Sequence, residues 1–171
     1  VNVSGAVHDN RDGTYAVSVM PTAVGEYSAS VRIAGVLIAG SPFRVPIRPS
    51  RSYSSQCAVS GDGLLSAHAG QPASFRIATS DRYGNPTQDS DVFVVALHGP
   101  EVVYGDVTTD SDGYTATYVA KVAGQYALSV VLGGQMVLEK PTVVTVAPGT
   151  AQVSETVIVG STSQRTLTAG E

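Results

Sequence analysis

The chain has 171 residues, 43% hydrophobic and 14% charged, with a formal net charge of -4. That composition can build a packed core and excludes a disordered tail. The acidic balance argues against nucleic acid or an anionic membrane surface as partner, because both need basic clusters. No run of about eighteen apolar residues marks a transmembrane helix.

In chain order the signal is alternation with period two. The runs are TYAVSV from Thr14, YSASVRI from Tyr27, SFRIATS from Ser74, VFVVALH from Val92, TATYVA from Thr115 and YALSVVL from Tyr126. They are rich in Val, Tyr, Thr and Ile, which suit a half-buried pleated surface. Gly, Pro, Asn or Asp stand between them, as the 18 Gly and 9 Pro of the chain suggest. No window carries apolar spacing of three and four, so almost no helix is expected. Short strands separated by turns predict an antiparallel sandwich or barrel. Inward-facing candidates are Phe75, Ile77, Phe93, Val95, Leu97, Val119, Leu128 and Val130. The N-terminus lies inside a strand-like pattern, so the chain reads as part of something longer. The single Cys57 excludes an internal disulfide, reads as a buried thiol and mildly favours a reducing compartment. Asn2-Val3-Ser4 is a formal glycosylation sequon, while Pro86 excludes Asn85-Pro86-Thr87.

Three motifs recur. Asp12-Gly13 returns at Asp112-Gly113, Gly25-Glu26-Tyr27 at Gly124-Gln125-Tyr126, and Ala69-Gly70-Gln71 at Ala169-Gly170-Glu171. The spacings are 100, 99 and 100 residues, the size of one immunoglobulin-like sandwich. The expected layout is the C-terminal half of a repeat over 1–48, a complete repeat over 51–146, and the first strand region of another over 149–171. Half a sandwich has an uncovered apolar face and open strand edges. The terminal pieces should therefore depend on other chain, on neighbouring molecules or on the central repeat.

No constellation for catalysis emerges. Asp9, Asn10 and Asp12 before Gly13 resemble a calcium loop, but the bidentate Glu such a loop needs is Val19 here. A tight turn explains them: Gly takes positive φ and Asp bonds the backbone. His8, His68 and His98 have no metal-ligand spacing to Cys, Asp or Glu. Ser41 lacks a nucleophile elbow. Gly133-Gly134 is a two-residue hairpin turn, not a phosphate loop. Asp89 and Asp91 sit in a polar loop. No enzyme activity, cofactor or metal is expected. Tyr27 and Tyr126, each after a Gly-x, suit a tyrosine corner that covers the core edge and bonds backbone.

The motif order is similar to that of filamin-type immunoglobulin repeats. The first segment has Asp12-Gly13-Thr14-Tyr15, Gly25-x-Tyr27 and Gly40-Ser41-Pro42-Phe43, which resemble the openings of strands E, F and G. The complete repeat has Gly61-Asp62-Gly63-Leu64, Ala69-Gly70-Gln71, Asp81-Arg82-Tyr83-Gly84-Asn85-Pro86, Gly99-Pro100 and Asp112-Gly113 in the family's order. It departs where one residue is missing after Gly113, and where Glu139-Lys140-Pro141-Thr142 replaces Ser-Pro-Phe. In the third segment GSTSQRTLTAGE stands where Gly-x-Gly-Leu belongs. The chain thus resembles a diverged array, not a vertebrate filamin.

The resemblance implies an all-β fold of tandem antiparallel sandwiches and a non-enzymatic scaffold in a cytoplasmic, cytoskeleton-associated protein. Such a segment spaces and docks protein partners, including actin or microtubule systems and neighbouring repeats. Two alternatives stand beside it: an extracellular, cell-surface adhesion protein, and the accessory sandwich of a larger enzyme. In the family a partner strand adds beside strand C, in the groove between C and D. Carried over, strand C is Phe93 to His98 and strand D is Tyr104 to Thr109. The candidate groove residues are then Val94, Ala96, Gly105 and Val107. The β-prone run TVIVGS from Thr156 is a further candidate to pair with an open edge.

Overall fold

A computed structural model describes residues 2–88 and 90–150. Asp89, the run from Thr156 and the third segment from residue 151 on lie outside the described residues. No α-helix occurs among the described ones, only single 3-10 turns at Ser54–Gln56 and Asp62–Leu64. The strands are β1 (Ala6–Asp9), β2 (Tyr15–Ser18), β3 (Gly25–Ala29), β4 (Arg32–Ile33), β5 (Val36–Leu37), β6 (Phe43–Ile47), β7 (Ala58–Ser60), β8 (Ser66–His68), β9 (Ala73–Ala78), β10 (Phe93–His98), β11 (Val102–Asp110), β12 (Gly113–Tyr118), β13 (Gly124–Leu132), β14 (Gln135–Met136) and β15 (Thr142–Ala147).

Strands β7 to β15 make an immunoglobulin-like β-sandwich. The hydrogen-bonded order is β7-β9-β12-β11-β10-β13-β15-β8, with β14 beside β13. Two edge devices join the layers. The N-terminal region divides into β7, antiparallel to β9, and β8, parallel to β15. Strand β11 pairs with β10 through its first half and with β12 through its second. The core lies between the layers. Phe75 and Ile77 of β9 and Tyr114, Ala116 and Tyr118 of β12 meet Val95, Leu97, Leu128, Val130 and Val144, all 2% exposed or less. Burying side chains of this size contributes about 1.5–3 kcal/mol each before entropy is subtracted. Phe93 packs edge-on against Tyr114 with ring centroids 5.0 Å apart.

Two close approaches fix how the layers meet. Gly63 is buried where an added Cβ would fall 2.8 Å from the Ser74 carbonyl carbon, and its own carbonyl accepts the Tyr118 hydroxyl at 2.6 Å. Burial pushes that phenol up from its ordinary value. Gly99 lies against Tyr126, where a Cβ would fall 2.7 Å from the ring.

One core expectation fails. Val119 is 41% exposed, while Tyr118 and Ala120 are buried. Inward positions of β12 run Tyr114, Ala116, Tyr118, so Val119 falls on the outer phase of the alternation. Ala120 then turns inward, with its carbonyl accepting the Gly70 amide at 2.8 Å.

The segment before the sandwich repeats its hairpins. Tyr27↔Val45 and Arg32↔Leu37 become Tyr126↔Val144 and Val131↔Met136, each displaced by 99 residues. Asp9↔Tyr15 becomes Thr109↔Tyr114. The residue missing after Gly113 is therefore absorbed by the turn, and the strand register survives. Burial differs: Tyr15 is 60% exposed and its counterpart Tyr114 only 2%. Among the described residues nothing covers the apolar face of this segment, a concavity lined by Val3, Val19, Val24, Tyr27, Val45 and Ile47.

Candidate functional site

In the repeated Asp-Gly turn the carboxylate oxygens bond the turn's own backbone. Asp9 Oδ1 accepts the Arg11 amide at 2.8 Å, and Asp12 Oδ1 accepts the Thr14 amide at 2.9 Å and its hydroxyl at 2.6 Å. The Thr14 hydroxyl and amide together draw the Asp12 carboxyl below its ordinary range. Gly13 and Gly113 have φ of 90° and 130°, which a side chain tolerates poorly. The second turn is tied the same way, with the Asp112 amide on Asp110 Oδ1 at 2.8 Å and the Arg76 guanidinium on the same oxygen at 2.9 Å. Among the described residues no group of three or more His, Cys, Asp or Glu is placed to hold a metal. Cys57 is half-buried with its Sγ 3.4 Å from the Tyr53 carbonyl, and burial raises its thiol.

The Tyr corners are present in both segments. The Tyr126 hydroxyl donates to the Val122 carbonyl at 2.8 Å, and the Tyr27 hydroxyl to the Ala23 carbonyl at 3.0 Å. The corner before β13 has a second brace. Glu101 Oε1 accepts the Lys121 amide and, at 3.1 Å, the Val122 amide, and lies 3.4 Å from the Tyr126 hydroxyl. The Lys121 and Val122 amides hold the Glu101 carboxyl below its ordinary range. Spacing suggested the Tyr; the carboxylate from a remote loop left no local signal.

The groove residues divide around a notch. Strand β10 is matched to β11 only from Val95↔Gly105 to His98↔Val102. From Gly105 the two strands part, because Asp106 to Asp110 pair with β12 instead. Phe93 and Val94 keep β13 on one side, paired with Leu132 and Val131, and have no β11 partner on the other. Val94 is 51% exposed at this open edge and Val92 beyond it 79%. Val107 lies across the notch and packs on the core. Gly105 closes the apex, where a Cβ would fall 3.0 Å from Val95 Cγ1. Ala96 lies past the apex, opposite Tyr104 and 7% exposed, on a stretch of β10 that already has a partner. The structure thus gathers Val94, Gly105 and Val107 around the notch and sets Ala96 apart from it.

A second feature had no functional reading in the sequence. Asp81, 1% exposed, gathers the loop after β9. Its Oδ1 accepts the amides of Tyr83 at 2.9 Å and Asn85 at 3.0 Å, and its Oδ2 accepts the Ser50 amide at 3.0 Å and the Asn85 side-chain amide at 2.9 Å. Burial pushes this carboxyl up, but the hydrogen bonds from Asn85, Ser50 and Tyr83 outweigh it and bring it to about 2. Asn85 then reaches the first segment: its Nδ2 donates to the Thr22 carbonyl at 2.8 Å, and its Oδ1 accepts the Val24 amide at 3.1 Å.

The filamin/ABP280 repeat model matches residues 1–44 and 51–143. Mouse Filamin-C is 34% identical over 141 residues, which is 82% of this chain and 5% of that protein. The Lin-41 filamin domain superposes with a TM-score of 0.52 at 20% identity, covering 58% of this chain and all of that one. FdeC, an Escherichia coli adhesin, superposes with a TM-score of 0.59 at 24% identity over 86% of this chain and 48% of that chain. These last two likenesses concern the fold alone.

Proposed function

Since the chain belongs to the filamin/ABP280 repeat family, we propose that it is a non-enzymatic spacer of a larger protein and docks protein partners by strand addition at β10. The proposed units are 1–48, 51–146 and 149–171, with the second a complete sandwich. Sandwiches in series set distances between other parts of a protein. The observation that supports docking is the parting of β10 and β11 beyond Val95↔Gly105, which leaves main-chain edge at Phe93 and Val94. An incoming strand would pair with that edge and set side chains against Val94 outside and Val107 inside.

The open edge is short. Net gains of about 1 kcal/mol per backbone hydrogen bond give two or three bonds an attachment weaker than about 1 mM. Useful affinity therefore needs side-chain anchors or several repeats acting together. Cytoskeletal filaments or neighbouring repeats are the proposed partners, in the cytoplasm. The likeness to FdeC favours a second reading, a segment of a cell-surface adhesin.

The test is capture of partners by the immobilised chain, wild type against Val94→Asp. The exposed position tolerates Asp in the fold, whereas the buried Ala96 does not. Equal recovery by both proteins sinks the edge reading. Recovery of actin or microtubule proteins supports the first reading, and recovery only of extracellular proteins supports the second.

A further inference from the structure

We propose that Asn85 is the joint between consecutive repeats: its carboxamide reads the backbone of the preceding repeat's corner and fixes the angle between the two. Asn85 takes one carbonyl and one amide two residues apart, Thr22 and Val24. A carboxamide carries one acceptor and two donors in a plane, so it can substitute for a peptide group in such a bridge. The residue between, Ala23, has its carbonyl occupied by the Tyr27 hydroxyl. The corner Tyr therefore holds the segment while the flanking groups face the next repeat.

Asn85 is itself immobilised. Its Nδ2 is held by both oxygens of the buried Asp81, at 3.0 and 2.9 Å, and its main-chain amide by Oδ1. The same Asp81 holds the linker through the Ser50 amide. Asp81 thus holds the linker directly and, through Asn85, the corner, two points on the first segment's side of the boundary. A single anchor would permit rotation; two separated ones oppose it. None of this depends on strand addition at β10.

The corner before β13 offers the same surface. Lys121, Val122 and Ala123 stand 99 residues after Thr22, Ala23 and Val24. Val122 has its carbonyl taken by Tyr126, as Ala23 has by Tyr27. Glu101 uses the Lys121 and Val122 amides, and among the described residues the Lys121 carbonyl and the Ala123 amide take no part in the bonds that hold this corner. They are the counterparts of the two groups Asn85 reads, and fit the equivalent Asn of a following repeat.

The experiment compares the whole chain with its Asn85→Ala variant. Amide hydrogen exchange would follow Val24, Gly84 and Tyr53, and small-angle X-ray scattering would follow overall dimensions. The joint predicts several-fold faster exchange at Val24, a broader distribution of dimensions, and unchanged protection at Gly84 and Tyr53. Those two amides report on the Asp81 loop itself through the Asp81 and Ser80 carbonyls. Unchanged Val24 exchange or unchanged dimensions overturns the proposal. So does loss of Gly84 and Tyr53 protection together with Val24, which would make Asn85 a brace of its own loop only.

Discussion

Replacing Tyr126 by Phe tests the corner at the level of one oxygen atom. The ring is 1% exposed, so Phe keeps its packing and only the hydroxyl is lost. That hydroxyl donates to the Val122 carbonyl at 2.8 Å and lies 3.4 Å from Glu101 Oε1. Only the first geometry is that of a strong bond. A lost neutral hydrogen bond costs about 1 kcal/mol, and an acceptor left dry costs up to about 3 kcal/mol. The buried ring limits water access to the Val122 carbonyl, so the expected loss is about 1–2 kcal/mol. For a sandwich of this size that lowers Tm by roughly 4–16 °C. Tyr27→Phe is the internal comparison. It removes the same hydroxyl-to-carbonyl bond, at 3.0 Å, from a half-buried ring without a carboxylate brace, and the expected loss is below about 1 kcal/mol. Thermal and urea unfolding followed by far-UV circular dichroism measure both. Equal shifts for the two variants, or a Tyr126→Phe shift under about 1 °C, would refute the claim that burial sets the value of the bond.

Two further outcomes follow from the packing and the charges. Gly63→Ala drives a methyl group into the Ser74 backbone of β9; a cost of at least about 2 kcal/mol is expected in urea unfolding, and wild-type stability would show that β9 can move aside. Asp81 has a native value near 2 against about 3.9 in an unfolded chain. A depressed carboxyl contributes stability that is complete above the unfolded value and is lost as pH falls through the native one. Acid should therefore weaken the wild type between about pH 4 and pH 2, while Asp81→Asn is less stable at neutral pH and shows a shallower acid slope. Parallel acid profiles by circular dichroism would contradict this.

Local signals carried much of the fold. Alternation in β9, β10 and β13 placed Phe75, Ile77, Val95, Leu97, Leu128 and Val130 inward, because a pleat exposes neighbours to opposite faces regardless of the rest of the protein. Gly-x-Tyr and Asp-Gly marked corners because Gly at positive φ and a side-chain oxygen bonding nearby backbone are short-range needs. The same locality explains the error at Val119: its apolar character is visible, but the phase of β12 depends on Tyr114, Ala116 and Tyr118 all turning inward. The notch beside β10 was legible only in outline. Strand C was placed residue for residue, yet nothing in VVYGDVTTD states that β11 exchanges β10 for β12 beside Gly105.

By itself, then, the sequence determined the strand class, the period of about a hundred residues and the hairpin register that recurs 99 residues on. Those follow from side-chain size, polarity and backbone freedom within a few residues. The tertiary structure decided which edges remain open, where Glu101 crosses to the Lys121 and Val122 amides, and how Asn85 spans 63 residues of chain to reach Thr22. Backbone pairing and buried carboxylates are satisfied by whichever groups the fold brings near, and that proximity is set only when distant strands have closed on one core.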